Sequence, residues 1–374
     1  MTVSSGQLTG AIRILFVFDV CEEIRLDALR RALEKNRGTA PRTPASVGSP
    51  PPSPESVRFE RPPMVEQLPP IDFTTGERFH VEANFYDYGA VSVKLELPFA
   101  SDWEGLIDLA SRWIADTELQ MIARAAVKQR LSNVVDALVR PNQDWLFEDY
   151  YVVHLHNRRN EDGRFVFHSA ELIAKHGDDI ARIVRGERTI LSDGEVTEIL
   201  ASRMSYHPDD LLVSGWTAAF LCETQEGADY TVQLLEYANT QLLAFRYYDA
   251  VLTRVLDQVY ASLEKRGGPL SRWRLVREAR SLNRLRLDVR ELTDRIDTSI
   301  KFVSDMFAAR QYKVAATKIG VQDYRRLVES KLAAAGDLYT FMMDQFYASR
   351  GFAMELIVAI LILLELTFAL FGRH

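Results

Sequence analysis

The sequence predicts an α+β protein: a mixed sheet domain in the N-terminal part, long antiparallel helices after it, and one C-terminal transmembrane helix. Three observations carry that prediction. Short alternating apolar runs separated by turn residues continue to about residue 228, the period becomes helical from Tyr230 onward, and an apolar run of twenty residues lies near the end. With 374 residues, 47% hydrophobic and 26% charged, the chain can bury more than one core and is too apolar for wholesale disorder.

Residues 11–18 (AIRILFVF) read as a buried strand, and 22–35, with Ile24, Leu26, Leu29 and Leu33 at mixed helical spacing, as a helix. The opening unit is therefore β-α, residues 1–37. Its first twenty residues lack the basic region and small-residue cleavage site of a secretory signal. Ten of the fourteen prolines fall between 38 and 70, where missing amide donors and fixed φ oppose helix and central strand. Residues 38–72 are expected to be a Pro-rich linker or loop.

An α+β domain follows over 73–228. Residues 78–86 and 90–97 alternate around Asp87-Tyr88-Gly89 and predict a hairpin. Asp102 is placed to cap a helix over 103–116, continued by 119–139 until Pro141 stops it. Residues 150–156 and 164–168 predict a second hairpin, 169–204 short helices, and 211–222 a buried strand or a helix start. Residues 229–350 form the helical hairpin or coiled-coil region. One helix is expected over 230–266, ended by Gly267-Gly268-Pro269, and a second from Ser271. Leu282, Leu285, Val289, Leu292, Ile296, Ser299, Val303 and Met306 alternate three and four apart as a coiled-coil seam. A third helix runs from Val321 into the tail, past Gly336.

Residues 352–371 (FAMELIVAILILLELTFALF) would span ~30 Å as a helix, the thickness of a hydrocarbon core. Thirteen of the twenty are Leu, Ile, Val or Phe, contributing roughly −4 to −8 kcal/mol to insertion, against which Glu355 and Glu365 act. The transmembrane helix is assigned to 351–372. Arg350 and Arg373 flank it, and the upstream Tyr339, Tyr347 and basic residues place the body on the cytoplasmic side, or the mitochondrial matrix side in a eukaryote. A single-pass, tail-anchored protein in contact with membrane lipid is the expectation.

Charge is segregated. The chain carries −7 overall, yet 271–331 hold fifteen Lys plus Arg against eight Asp plus Glu. Arg272, Arg274, Arg277, Arg280, Arg284, Arg286 and Arg290 meet only Glu278 and Asp288 in the same stretch, and Arg277, Arg280 and Arg284 share one helical stripe. Anionic headgroups, ribosomal RNA phosphates, or the acidic body and a neighbouring subunit are the candidate partners, so nucleic acid stays open.

Catalytic signatures are sparse. The sequence lacks G-x-x-x-x-G-K, G-x-G-x-x-G and G-x-S-x-G, and Cys21 and Cys222 are far apart with no neighbouring His, so no nucleotide cofactor or activated nucleophile is read. His154 and His156 share a strand face, and in one register of the second hairpin His168 stands opposite His154, a three-nitrogen metal cluster in that register alone. Tyr237, Phe245, Tyr247, Tyr248 and Tyr260 read as helix core. No catalytic residue, metal or cofactor is assigned.

The tail reads Arg350, Met354-Glu355-Leu356, a run of Ile and Leu, then Glu365 ten positions after Glu355, and residues 84–91 read NFYDYGAV. Together with the paired helices before the tail, these resemble the required-for-meiotic-nuclear-division family, over roughly residues 78–374. The resemblance implies a membrane-anchored, non-enzymatic scaffold that holds translation machinery near a membrane, with no established catalytic residues. It also implies a membrane or assembly role for Glu355 and Glu365, which ~100° per residue places about 80° apart on the helix, able to face one homo-oligomer seam. Two other functions stay open at this point: an oligomeric ion channel or transporter with a pore lined by Glu365, and a metal-dependent enzyme.

Overall fold

The computed structural model describes residues 7–36, 57–59, 61–160, 163–264, 269–298, 300–302 and 306–371. In chain order the elements are β1 (Leu8–Asp19), β2 (Cys21–Ile24), α1 (Leu26–Asn36), β3 (Val57–Phe59), β4 (Met64–Asp72), β5 (Arg78–Phe85), β6 (Ala90–Ser101), α2 (Trp103–Ala115), α3 (Glu118–Ser132), β7 (Leu138–Pro141) and β8 (Phe147–His156). They continue with α4 (Ser169–Arg185), α5 (Asp193–Leu200), β9 (Leu211–Ser214), β10 (Ala218–Glu223), α6 (Gln225–Glu264), α7 (Pro269–Thr298), β11 (Ile300–Phe302), α8 (Met306–Ile319) and α9 (Val321–Phe371). The fold is mixed α+β, with the sheet in the N-terminal part and the long helices after it.

The chain divides into two compact units. The first comprises Met1–Tyr247 and Asp294–Tyr324, the second Tyr248–Thr293 and Arg325–His374. The first is built on a seven-stranded sheet of order β4-β5-β6-β1-β8-β10-β9. All its pairings are antiparallel except β8 with β10. Strand alternation sorts the two faces. Ile12, Ile14, Phe16 and Phe18 of β1, with Phe79, Val81, Val93, Leu95 and Val153, enter a single apolar core with Trp113 of α2, Val127 of α3 and Ile183 of α4. Each such side chain, removed from water, contributes about 1.5–3 kcal/mol. Asp102 caps α2, its carboxylate accepting from the Gly105 amide at 2.8 Å.

The hairpin of β5 and β6 forms as the sequence predicts, with Gly89 at φ +86° in the turn. The second predicted hairpin does not. β8 lies between β1 and β10, and residues 164–168 contribute a single bridge, Arg159 with Phe165. A central strand takes its partners from distant segments, so the nearest apolar run did not supply one. The Pro-rich segment is also corrected in part. Residues 64–70 belong to β4, an edge strand whose register slips between Leu68 and Ile71, where Pro69 and Pro70 sit. An edge strand with a bulge tolerates the missing donors. Residues 37–56 lie outside the described residues. The helix expected over 119–139 ends at Ser132, because a 3-10 turn at Val135–Ala137 leads into β7, which pairs with β2.

The predicted seam breaks after Thr298. β11 and α8 follow, so Met306 opens a separate helix, while Ser299 and Val303 lie outside the described residues. Within the second unit, Leu256 and Val259 of α6, Ala279 and Leu282 of α7, and Ala335, Leu338 and Met342 of α9 form one small core. Arg286 approaches Gly336 so closely that a Cβ there would stand 2.5 Å from its guanidinium. The pairing therefore runs antiparallel, from Arg286 beside Gly336 to Ala279 in the cluster with Met342.

Among the described residues no helix is long and apolar enough to cross a membrane. The described side chains of the tail, 357–367, span only about 16 Å. The remainder of the expected crossing, including Glu355, has side chains outside the described residues.

Candidate functional site

The face of the sheet opposite the apolar core is polar at its centre. β5 alternates Phe79, Val81, Ala83 and Phe85 into the core with His80, Glu82 and Asn84 on the other side. β6 does the same with Ser92, Lys94 and Glu96, and β1 contributes Arg13. Cross-strand register aligns these side chains in rows. Gln67, Glu82 and Lys94 stand side by side on β4, β5 and β6, and His80, Glu96 and Arg13 on β5, β6 and β1.

The first turns of α6 lie over these rows. Asp229, Glu236 and Thr240 recur seven and four residues apart, one stripe of the helix. Asp229 meets Arg13 at 2.7 Å, Glu236 accepts from the Asn84 amide at 2.7 Å, and Thr240 bonds the Tyr88 hydroxyl at 2.8 Å. Within the sheet Arg13 donates to Glu96 at 2.9 Å, and Glu82 takes Lys94 and Gln67 at 2.6 Å each. Between helix and sheet remains a cavity of about 350 Å³, lined among others by Glu82, Asn84, Lys94, Glu96, Asp229 and Glu236.

Electrostatics follow from burial. Glu236 is 2% exposed. Burial raises its pKa, opposed by Lys94 and by the hydrogen bond from Asn84. Burial pulls Lys94 the other way, yet the Glu82 and Glu236 carboxylates hold its ammonium above the ordinary lysine value. The Asn84 side-chain oxygen is buried without a hydrogen-bond partner among the described residues, although its amide nitrogen is engaged. Such an orphan acceptor costs about 1–3 kcal/mol unless something donates to it.

The histidines do not assemble a metal centre. His154 is fully buried on β8, its Nε2 3.1 Å from the Glu223 carbonyl, and its ring lies 4.5 Å from that of His156. His168 instead precedes α4 as its N-cap residue. Among the described residues no group of three His, Cys, Asp or Glu could hold a metal ion. Burial, then the Arg13 charge, lowers the His154 pKa to about 3. Cys21 and Cys222 are buried free thiols, and burial pushes Cys21 up to about 12 and Cys222 higher still, which removes thiolate at neutral pH.

Of the basic residues on α7, Arg277, Arg280, Arg284 and Arg290 are exposed and Arg286 is half-buried, while the side chains of Arg272 and Arg274 lie outside the described residues. Glu365 is exposed on α9. Around it, Ile357, Val358, Ile360, Leu361, Ile362, Leu363, Leu364 and Leu366 are all 47–66% exposed. Among the described residues the structure thus shows two features, a polar cavity on the sheet and an exposed apolar stretch of α9, with basic residues on α7. Sequence reasoning found the second and missed the first. Arg13, alone among the apolar residues of β1, was the available signal for the cavity.

A family model described as "Uncharacterized protein MJ0711, N-terminal domain" matches residues 9–229, which hold the sheet and the first turn of α6. The uncharacterized protein MJ0711 of Methanocaldococcus jannaschii is 21% identical over 224 residues, 60% of this chain and 66% of that protein. No solved structure matches the chain. The required-for-meiotic-nuclear-division family, expected from the tail motif, is not the family these matches show. With more than half of its length matched, the chain belongs to the family defined by the MJ0711 N-terminal domain.

Proposed function

We propose that the protein is a non-enzymatic, tail-anchored membrane scaffold, which oligomerises through its helical region and holds a partner beside the membrane. The observation that carries this reading is the tail. Residues 357–367 are exposed on every face of α9, and nine of those eleven are apolar. A helix apolar all round needs a nonpolar surrounding. Lipid supplies it on all faces at once, whereas one groove in a partner covers a single stripe.

The basic helix supports the same reading. Carrying the antiparallel register of α7 and α9 onward from Arg286 and Gly336 brings residue 350 abreast of about residue 272. That register supports a tail that leaves the bundle near the arginine-rich start of α7, where Arg277 and Arg280 are exposed. Basic groups at that level suit anionic headgroups, worth about 1 kcal/mol each near a charged surface. The resemblance of Arg350, Glu355 and Glu365 to the tail motif of the meiotic-nuclear-division family adds translation machinery as the partner and the cytoplasmic or matrix side as the location of the body.

Flotation of the full-length protein with vesicles tests the reading. We expect the chain to rise with phosphatidylcholine vesicles and more completely when phosphatidylglycerol is added. Replacing Leu361→Lys and Leu363→Lys together, which raises the insertion cost by about 6 kcal/mol, should abolish flotation. Arg277→Ala with Arg280→Ala should remove only the gain from the anionic lipid. A chain that stays with the soluble fraction in both mixtures overturns the anchor. A second use of the tail hangs on Glu365, exposed among apolar neighbours. Ion flux through reconstituted vesicles that disappears in Glu365→Ala would make the assembly a pore and replace the scaffold reading.

A further inference from the structure

We propose that the cavity between α6 and the polar face of the sheet binds a small organic dication, an α,ω-diamine or an ω-aminoalkylguanidine of similar length. This inference stands on the sheet unit alone and does not depend on the membrane anchor.

The charge of the site selects the class of ligand. Four carboxylates line the cavity, those of Glu82, Glu96, Asp229 and Glu236. Two buried or half-buried cations answer them, Lys94 within the lining and Arg13 beneath it. Negative charge remains in excess, four carboxylates against two cations, and it stays so with Glu236 left out of the count. An anionic ligand would meet this excess in a low-dielectric setting and be repelled. A cation would relieve it.

Hydrogen bonding narrows the choice further. Asn84 is 6% exposed and lines the cavity, and its side-chain oxygen has no donor among the described residues. That atom calls for an N–H or O–H from the occupant. A bare metal ion fits poorly, since no group of three ligating side chains is assembled among the described residues. An ammonium or guanidinium group, with several donors, satisfies the amide oxygen and a carboxylate together.

Spacing gives the length. The acceptors fall into two groups, one at Glu82, Asn84 and Glu236 and the other at Glu96 and Asp229. On β6 the row of Glu82 lies two residues from that of Glu96, about 7 Å, and the row of Asn84 four residues from it, about 13 Å, while on α6 Asp229 and Glu236 are two turns apart, about 10 Å. A molecule with cationic ends separated by about that span reaches both groups, and a cavity of about 350 Å³ accepts one of that size.

Titration calorimetry on the full-length protein in a non-ionic detergent decides the matter, with 1,5-diaminopentane and agmatine as probes. Saturable one-to-one binding of either probe is expected, at least tenfold weaker for 1-aminopentane and absent for 1,5-pentanediol. Glu82→Gln and Asp229→Asn should each weaken the diamine at least tenfold, and Asn84→Leu should do so without altering any charge. Absence of saturable binding for both dications overturns the proposal. So does binding of the diol as tight as that of the diamine, or preferential binding of inorganic phosphate. The comparison of diamine with diol uses the unaltered chain, so it decides the question even where a substitution prevents folding.

Discussion

His154 shows how a single side chain couples the sheet to pH. It is fully buried, faces Arg13 and His156, and bonds the Glu223 carbonyl through Nε2. Burial and the Arg13 charge keep the ring neutral in the fold down to about pH 3, whereas an unfolded histidine takes a proton near 6.5. Protons are thus bound preferentially by the unfolded chain between these values. Stability is unaffected by this residue above 6.5 and is lost as pH falls from there toward 3, at about 1.4 kcal/mol per pH unit. His154→Gln should remove that slope. Urea unfolding of both proteins at pH 6.5 and 5.0 should show the wild type losing about 2 kcal/mol more than the variant; equal losses would place the ring in a more solvated setting. Gly89 is constrained differently. Its φ of +86° and a Cβ that would lie 1.7 Å from the Cys21 carbonyl oxygen exclude a side chain. Gly89→Ala should cost about 3 kcal/mol or more in the same measurement.

Elements whose signals are local were legible. The β5–β6 hairpin was written in two alternating runs and a glycine turn, and α2 in a capping aspartate before an amphipathic stretch. Asp102→Ala should accordingly cost about 1 kcal/mol of thermal stability, read as a drop in melting temperature. Elements that depend on distant partners were not legible. β8 carries the same apolar alternation whether it pairs with 164–168 or, as it does, with β1 and β10, so the register that would have set His168 opposite His154 went with the hairpin. Prolines 69 and 70 signalled a loop because a central strand excludes them, but the sequence does not announce that β4 is an edge. The cavity was hidden for a related reason. Alternation at His80, Glu82 and Asn84 and at Ser92, Lys94 and Glu96 reads as a solvated face, and nothing local says that α6 covers it. The coiled-coil seam went astray at Thr298, where β11 pairs with β3 and interrupts a helical spacing that continues across the gap.

At the scale of the whole molecule, the chain crosses between its two units three times, since α6, α7 and α9 each have residues at a boundary. The cores differ greatly in extent. Among the described residues, the sheet unit buries strands and helices from Leu8 to Cys222 in one apolar cluster, whereas the helical unit's cluster holds Leu256, Val259, Ala279, Leu282, Ala335, Leu338 and Met342, with Leu252, Val289 and Val328 buried beside it in the same unit. Local stability follows buried apolar contact, so the second unit should open at a lower free energy than the first. Leu282 is fully buried at the centre of the smaller core, and Leu282→Ala should cost about 2–5 kcal/mol there. Hydrogen exchange resolves the consequence. Amides of 249–263 in α6, 276–292 in α7 and 328–342 in α9 should exchange faster in the variant, by roughly 1.5 to 3.5 orders of magnitude at about 1.4 kcal/mol per tenfold, while those of β1 and β8 keep their wild-type rates. A uniform acceleration that includes β1 would mean that the long helices transmit the loss and that the chain unfolds as one cooperative body. Acceleration confined to the helical unit would mean that the sheet, with its cavity, remains folded while the part bearing the tail opens.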